Sequence, residues 1–229
     1  MDFKIKPSMG VALFITGTNT GVGKTFFSYL LAKGLKKLGV KVGYWKPVET
    51  GADPIPQDAK LLSDLLGQPL EETVSYTFKL PLAPYVAEKY EGERVKIEAL
   101  RGIFEEKLQR HEVLIVEGAG GLAVPIKRDY TYGNFAKDLD LPVVVVSDAK
   151  LGTINCSFLT ALYGKSLNLN LLGFVFNRFT GRDISERDNP SVVEEMTGLP
   201  VLVKIPETTL ERYELKGEDL KGILEKIKP

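Results

Sequence analysis

Apolar residues along this chain fall into short, nearly continuous blocks, separated by stretches in which they recur at helical spacing. Residues 11–15, 40–48, 113–116, 141–146, 171–176 and 201–205 read as strands. Residues 26–38 (stopped by Gly39), 58–66, 97–109, 155–167, 192–197 and 215–227 read as helices. Residues 69–92, with prolines at 69, 81 and 84, read as a loop-rich connection. Strands that are apolar almost throughout, alternating with helices, predict an α/β fold with a mostly parallel central sheet covered by helices on both faces. No repeat, linker or low-complexity tract divides the sequence. The expectation is a single domain over residues 1–229, with 1–10 as an N-terminal extension.

In such a sheet the site lies beyond the C-terminal ends of the strands. Lys24, Lys46, Glu117, Asp148 and Asn177 each follow a strand and converge on that rim. The first strand leads into G-T-N-T-G-V-G-K-T (17–25), then a helix. That order suits a phosphate-binding loop. The backbone N–H groups of Gly21, Val22 and Gly23 can approach a polyphosphate, Lys24 supplies a point charge, and the Thr25 hydroxyl can ligate Mg2+. The first glycine, Gly17, stands one residue ahead of the usual spacing, where Thr18 falls. Mg2+ takes one or two carboxylates with a loop hydroxyl and phosphate oxygens. Glu117, at the end of an apolar strand, and Asp58 are the candidates. Asp58 reads equally as a helix N-cap, and Glu117 has a plain turn as its alternative.

Composition narrows the chemistry. With 44% hydrophobic and 26% charged residues, 229 residues suffice for one sizeable core. Thirty basic residues balance thirty acidic ones, so no global field points to nucleic acid. No apolar run approaches a membrane span, and residues 1–9 lack the apolar core of a signal peptide. The single cysteine, Cys156, excludes an intramolecular disulfide, reads as a small buried hydrophobe and fits a reducing, cytoplasmic setting. The single histidine, His111, reads as a surface loop residue without a partner for a metal site or relay. Carboxylates, lysines, backbone dipoles and a metal are left to carry the chemistry.

Five blocks in order, G-T-N-T-G-V-G-K-T (17–25), W-K-P-V-E-T-G (45–51), V-E-G-A-G-G (116–121), K-L-G-T-I-N (150–155) and F-N-R (176–178), resemble the dethiobiotin synthetase family. The loop at 81–92 is similar to that family's pattern, and so is the displaced first glycine. The resemblance implies a P-loop NTPase-like fold and an ATP- and Mg2+-dependent ring closure. In that reaction 7,8-diaminononanoate takes up CO2 as a carbamate, the carbamate attacks the γ-phosphate, and the second amine closes the ring. It also implies roles by motif. Lys24 and Lys46 stabilise charge, Thr25, Asp58 and Glu117 hold the metal, and Thr20 brings a hydroxyl near the reacting groups. Thr50 and Gly120 meet substrate, and Asn177 meets the nucleotide base, although a strand-end turn is as good a reading of Asn177. Members of the family often carry an acidic residue where this chain has Gly21, so no role is given to an acid there.

Residues 151–155 follow a strand and begin a helix, with Thr153 able to cap it. A helix N-terminus suits a carboxylate. In the resembled family the substrate's carboxylate tail reaches a helix N-terminus of the neighbouring subunit. The resemblance therefore implies a homodimer in which Leu151, Gly152, Thr153 and Asn155 complete the partner's site. The alternative is a partitioning or switch ATPase acting through a protein partner. Against it, Asn19 and Thr20 stand where that group carries an extra loop lysine.

Overall fold

The structure, a computed structural model, describes residues 10–227. The N-terminal extension expected over residues 1–10 lies outside the described residues, apart from Gly10. In chain order the elements are β1 (Val11–Gly17), α1 (Lys24–Lys37), β2 (Val42–Thr50), α2 (Gln57–Leu66), α3 (Leu70–Thr73), β3 (Val74–Phe78), α4 (Pro84–Glu91), α5 (Ile97–Arg110) and β4 (Val113–Gly121). There follow β5 (Pro125–Lys127), β6 (Tyr130–Thr131), α6 (Tyr132–Asp138), β7 (Val143–Asp148), α7 (Thr153–Ser166), β8 (Leu171–Phe179), α8 (Ser185–Thr197), β9 (Val201–Pro206) and α9 (Gly217–Ile227). Seven strands pair in parallel in the order β3-β2-β4-β1-β7-β8-β9, and β5 and β6 form a small antiparallel hairpin.

The two-residue period of the strands divides the core into two layers. On β1, Leu13 and Ile15 face α1 and α9, joining Phe27, Leu31, Leu220 and Ile223. Phe14 faces the other way, into a layer with Trp45, Phe104, Tyr132 and Phe135. With both faces covered, the strands have no polar side to show, which is why they read as unbroken apolar runs. Full burial of each such side chain contributes about 1.5–3 kcal/mol.

Three stretches differ from expectation. Residues 69–92 hold α3, β3 and α4 rather than loop. β3 is a half-buried edge strand pairing only with β2, so it carries no apolar run. Its flanking prolines mark helix starts: Pro69 precedes α3, and Pro84 is the first residue of α4. Residues 122–140 fold as the β5–β6 hairpin and α6, which opens with a Thr131–Asn134 capping box. α8 begins at Ser185, seven residues before the apolar pattern becomes visible at Val192, because its first turns are S-E-R-D-N around Pro190. His111 is half-buried rather than a surface residue. Its ring packs on Gly43, where a Cβ would lie 2.6 Å away, and Nδ1 sits 2.9 Å from the Lys107 carbonyl oxygen. Cys156 is half-buried on α7. Among the described residues, no helix is long and apolar enough to cross a membrane.

Candidate active site

The parallel sheet delivers β1, β2, β4, β7 and β8 to one rim, and the ends of β2, β4 and β8 with the turn after β1 line a cleft of about 500 Å³. The turn from β1 into α1 forms one wall. Gly21 and Gly23 take left-handed backbone conformations (φ 77° and 101°), which wrap the loop ahead of the helix. Gly23 is also the α1 N-cap, without a capping side chain, so the first N–H groups of α1 are open to an anion. Lys24 reaches back across the loop to the Asn19 carbonyl at 3.3 Å. Burial holds its ammonium well below the usual lysine value, at about 8. Lys46 pushes in the same direction, while Glu117 and Asp58 oppose it.

Beside the loop lies a cluster of opposite charges. Glu117, on β4, is wholly buried at 0% exposure, and Lys46, on β2, is 4% exposed. Lys46 Nζ donates to Glu117 Oε1 at 3.0 Å and to Asp58 Oδ2. Thr25 donates to Glu117 Oε1 at 2.7 Å, and Ser28, one turn on, donates to Oε2 at 2.7 Å. Burial works against charge on Lys46, yet Glu117, Asp58 and Glu49 together hold its ammonium above its ordinary value. Burial likewise pushes the Asp58 carboxyl up, but the nearby Lys46 ammonium and its hydrogen bond bring it below its usual range. The Thr25 hydroxyl and two carboxylates thus gather hard oxygen donors around one cationic point. Among the described residues, no group of three or more His, Cys, Asp or Glu could hold a metal unaided. Two carboxylates, one hydroxyl and the oxygens of a bound polyphosphate form the donor set that Mg2+ takes.

The cleft brings together most of the residues expected from the sequence. Thr20, Gly21, Gly23, Lys24, Thr25, Lys46, Thr50, Asp58 and Gly120 line it, and Glu117 stands directly behind Thr25 and Lys46. Val22 is buried, and its carbonyl accepts from Asn177 Nδ2 at 3.0 Å. The Asn177 amide packs so closely on Gly23 that a Cβ there would lie 2.1 Å from it. Asn177 therefore braces the phosphate loop from β8. The 151–155 segment does not line the cleft of its own chain.

Two local readings are corrected. Asp58 is not the N-cap of α2. Pro56 holds that position, and the capping oxygens come from Glu49, which accepts from the Asp58 and Ala59 N–H groups at 2.9 Å each. Thr153 does not cap α7 either. Gly152 is its N-cap, and the Thr153 hydroxyl is buried 2.6 Å from Ser147 Oγ. Ser147 also meets Thr18 at 3.0 Å and Ser157 at 3.1 Å, so a chain of hydroxyls ties the phosphate loop to the start of α7. The sequence reading missed Ser28 and Glu49. Ser28 had a signal, since it lies three residues past Thr25 on the same helical face.

A family model described as an AAA domain matches residues 11–211. The chain is 53% identical to the ATP-dependent dethiobiotin synthetase BioD of Aquifex aeolicus, over 82% of this chain and 85% of that protein. It is 40% identical to the ATP-dependent dethiobiotin synthetase BioD of Bacillus subtilis, over 84% and 86% of the two chains. Among solved structures, the MinC:MinD cell division protein complex of Aquifex aeolicus matches with a TM-score of 0.59 at 15% identity, covering 93% of this chain and 86% of that one. A ParA family ATPase from Chlorobium tepidum matches with a TM-score of 0.55 at 14% identity, covering 87% and 84%. At these identities the structural likeness gives the fold, that of the P-loop ATPases.

The buried Lys24 amine offers a direct test of the phosphate loop. An anion seated on the loop favours the charged form, so bound tripolyphosphate should raise the Lys24 titration midpoint above its value near 8. Lysine side-chain NMR across a pH series reads that midpoint with and without the anion. A midpoint that stays or falls with tripolyphosphate bound contradicts the assignment.

Proposed function

The chain belongs to the ATP-dependent dethiobiotin synthetase family and is an enzyme of the ligase class, and we propose that it closes the ureido ring of dethiobiotin from 7,8-diaminononanoate, CO2 and ATP. The observation that carries this reading is Lys46, an ammonium buried between Glu117 and Asp58 at the floor of a cleft whose wall is a phosphate loop.

One amine of the substrate adds to CO2 and loses a proton, giving a carbamate. A carbamate oxygen attacks the γ-phosphorus of ATP, the bond to the β-phosphate oxygen breaks, and ADP leaves a carbamic-phosphoric anhydride. The second amine attacks the carbamoyl carbon, the C–O bond to phosphate breaks, and ring and phosphate form as a proton is lost. Each step brings anions together or spreads negative charge, so positioning and charge neutralisation are what the protein must supply. Lys24 and Lys46 serve both needs, and their charge keeps a nearby substrate amine neutral and nucleophilic. Thr25, Asp58 and Glu117 would hold Mg2+, which supplies charge neutralisation at the phosphate oxygens when bound. Thr20, Thr50 and Gly120 line the space left for the diamine, and Asn177, anchored on Val22, would meet the nucleotide base.

The route makes an isotopic demand. Turnover with 18O-labelled CO2 should place one label in the released phosphate, and release should depend on the diamine. Unlabelled phosphate contradicts the carbamate route. Release indifferent to diamine but stimulated by a protein partner would favour a switch ATPase.

The homodimer is part of the same reading. Leu151, Leu159 and Leu162 leave 79%, 53% and 54% of their surface exposed on and just before α7, an apolar face suited to a second copy. Gly152 and Asn155 are exposed at the start of that helix, away from their own cleft. A Lys46→Ala chain mixed with a Gly152→Glu chain should therefore regain activity, because each heterodimer assembles one intact site. No recovery after confirmed subunit exchange, or a fully active monomer, contradicts the shared site.

A further inference from the structure

We infer that Glu49 is a positioning residue for the metal-binding carboxylate of Asp58: it does from β2 what an N-cap side chain would do from within α2. The inference rests on the reading of Asp58 as a magnesium ligand.

The local sequence leaves α2 without a cap of its own. Its N-cap is Pro56, with φ −70° and ψ 100°, a backbone conformation suited to capping but with no side-chain oxygen to offer. A capping side chain accepts from the second and third helical N–H groups. Here those belong to Asp58 and Ala59, and both donate at 2.9 Å to the two carboxylate oxygens of Glu49. Glu49 is 4% exposed, so these hydrogen bonds form away from competing water. One of the two fixed N–H groups is the backbone of Asp58 itself. With that peptide held, the Asp58 carboxylate is aimed at Lys46, three residues before Glu49 on the same strand. Gly51 and Ala52 are tied to Leu80 and Phe78 through backbone hydrogen bonds of 3.1 and 2.9 Å, but residues 53–56, the rest of the connection from β2 to α2, are irregular and mostly exposed, so the hold nearest residue 58 comes from Glu49. Glu49 closes the loop across it.

Second-layer partners of ligating carboxylates characteristically change metal affinity by about 10- to 100-fold when removed. Glu49→Gln keeps the volume but replaces one acceptor oxygen with a donor that opposes a backbone N–H. The expected results are a rise of about tenfold or more in the Mg2+ concentration for half-maximal turnover, little change in kcat at saturating Mg2+, and faster hydrogen exchange at the Asp58 and Ala59 amides. The same shift should appear in Mg2+-dependent binding of a non-hydrolysable ATP analogue. In an Asp58→Asn background, Glu49→Gln should add nothing to the Mg2+ midpoint. Adding Pro56→Asp to Glu49→Gln restores an N-cap oxygen, and should recover both amide protection and the midpoint. That rescue also serves if Glu49→Gln alone folds poorly.

An unmoved Mg2+ midpoint alongside deprotected amides, or additive shifts in the double variant, would overturn the inference and leave Glu49 as a helix cap. If Asp58→Asn itself left the midpoint unmoved, the metal reading of Asp58 would fall first, and the inference with it. A shifted Asp58→Asn beside an unshifted Glu49→Gln would sink only the inference.

Discussion

A lysine ammonium buried between two carboxylates is the constraint on which the rest of the site depends. Taking Lys46 and Glu117 out of water costs several kcal/mol per ion, and mutual attraction offsets that only with close geometry and every remaining polar group satisfied. The structure supplies partners for these ions from four directions. β2 brings Lys46, β4 brings Glu117, α2 brings Asp58, and α1 brings the Thr25 and Ser28 hydroxyls onto the two oxygens of Glu117. Removing Lys46 would leave Glu117, which has no exposed surface, without its ion-pair partner. The pairing of β2 with β4, and the position of α1 over them, are therefore tied to the electrostatics as well as to packing.

The other wall is held by neutral hydrogen bonds. Asn177 of β8 grips the Val22 carbonyl, and Ser147 of β7 joins Thr18 to Thr153 and Ser157. Two successive strands on one side of β1 thereby anchor the phosphate loop before any ligand arrives. A loop preorganised in this way spends less of the nucleotide's binding energy on ordering. The charged cluster on one side and the braced loop on the other leave between them a space where two anions can be brought together.

Much of this was legible in the sequence because it is local. The apolar run, glycine turn and Lys24–Thr25 of β1–α1 sit within eighteen residues, and Lys46 and Glu117 each end a run long enough to announce a buried strand. What escaped depends on contacts between distant segments. β3 is an edge strand with one neighbour and half its surface outside, so its residues carry no continuous apolar signal. Glu49 caps a helix that starts after an irregular connection, an arrangement no local pattern encodes, and its presence turned an apparent cap, Asp58, into a partner for Lys46. Thr153 failed as a cap for a similar reason: Ser147, six residues away on β7, took its hydroxyl.

In the proposed reaction Lys46 acts on the transfer step rather than on nucleotide capture, since it rises from a neighbouring strand and not from the phosphate loop. Steady-state turnover and ATP-analogue binding should be measured together on Lys46→Ala, with folding checked by circular dichroism. Turnover is expected to fall by about a hundredfold or more while nucleotide affinity changes far less. Collapse of ATP binding with normal turnover at saturating ATP would contradict the central role assigned to this ammonium.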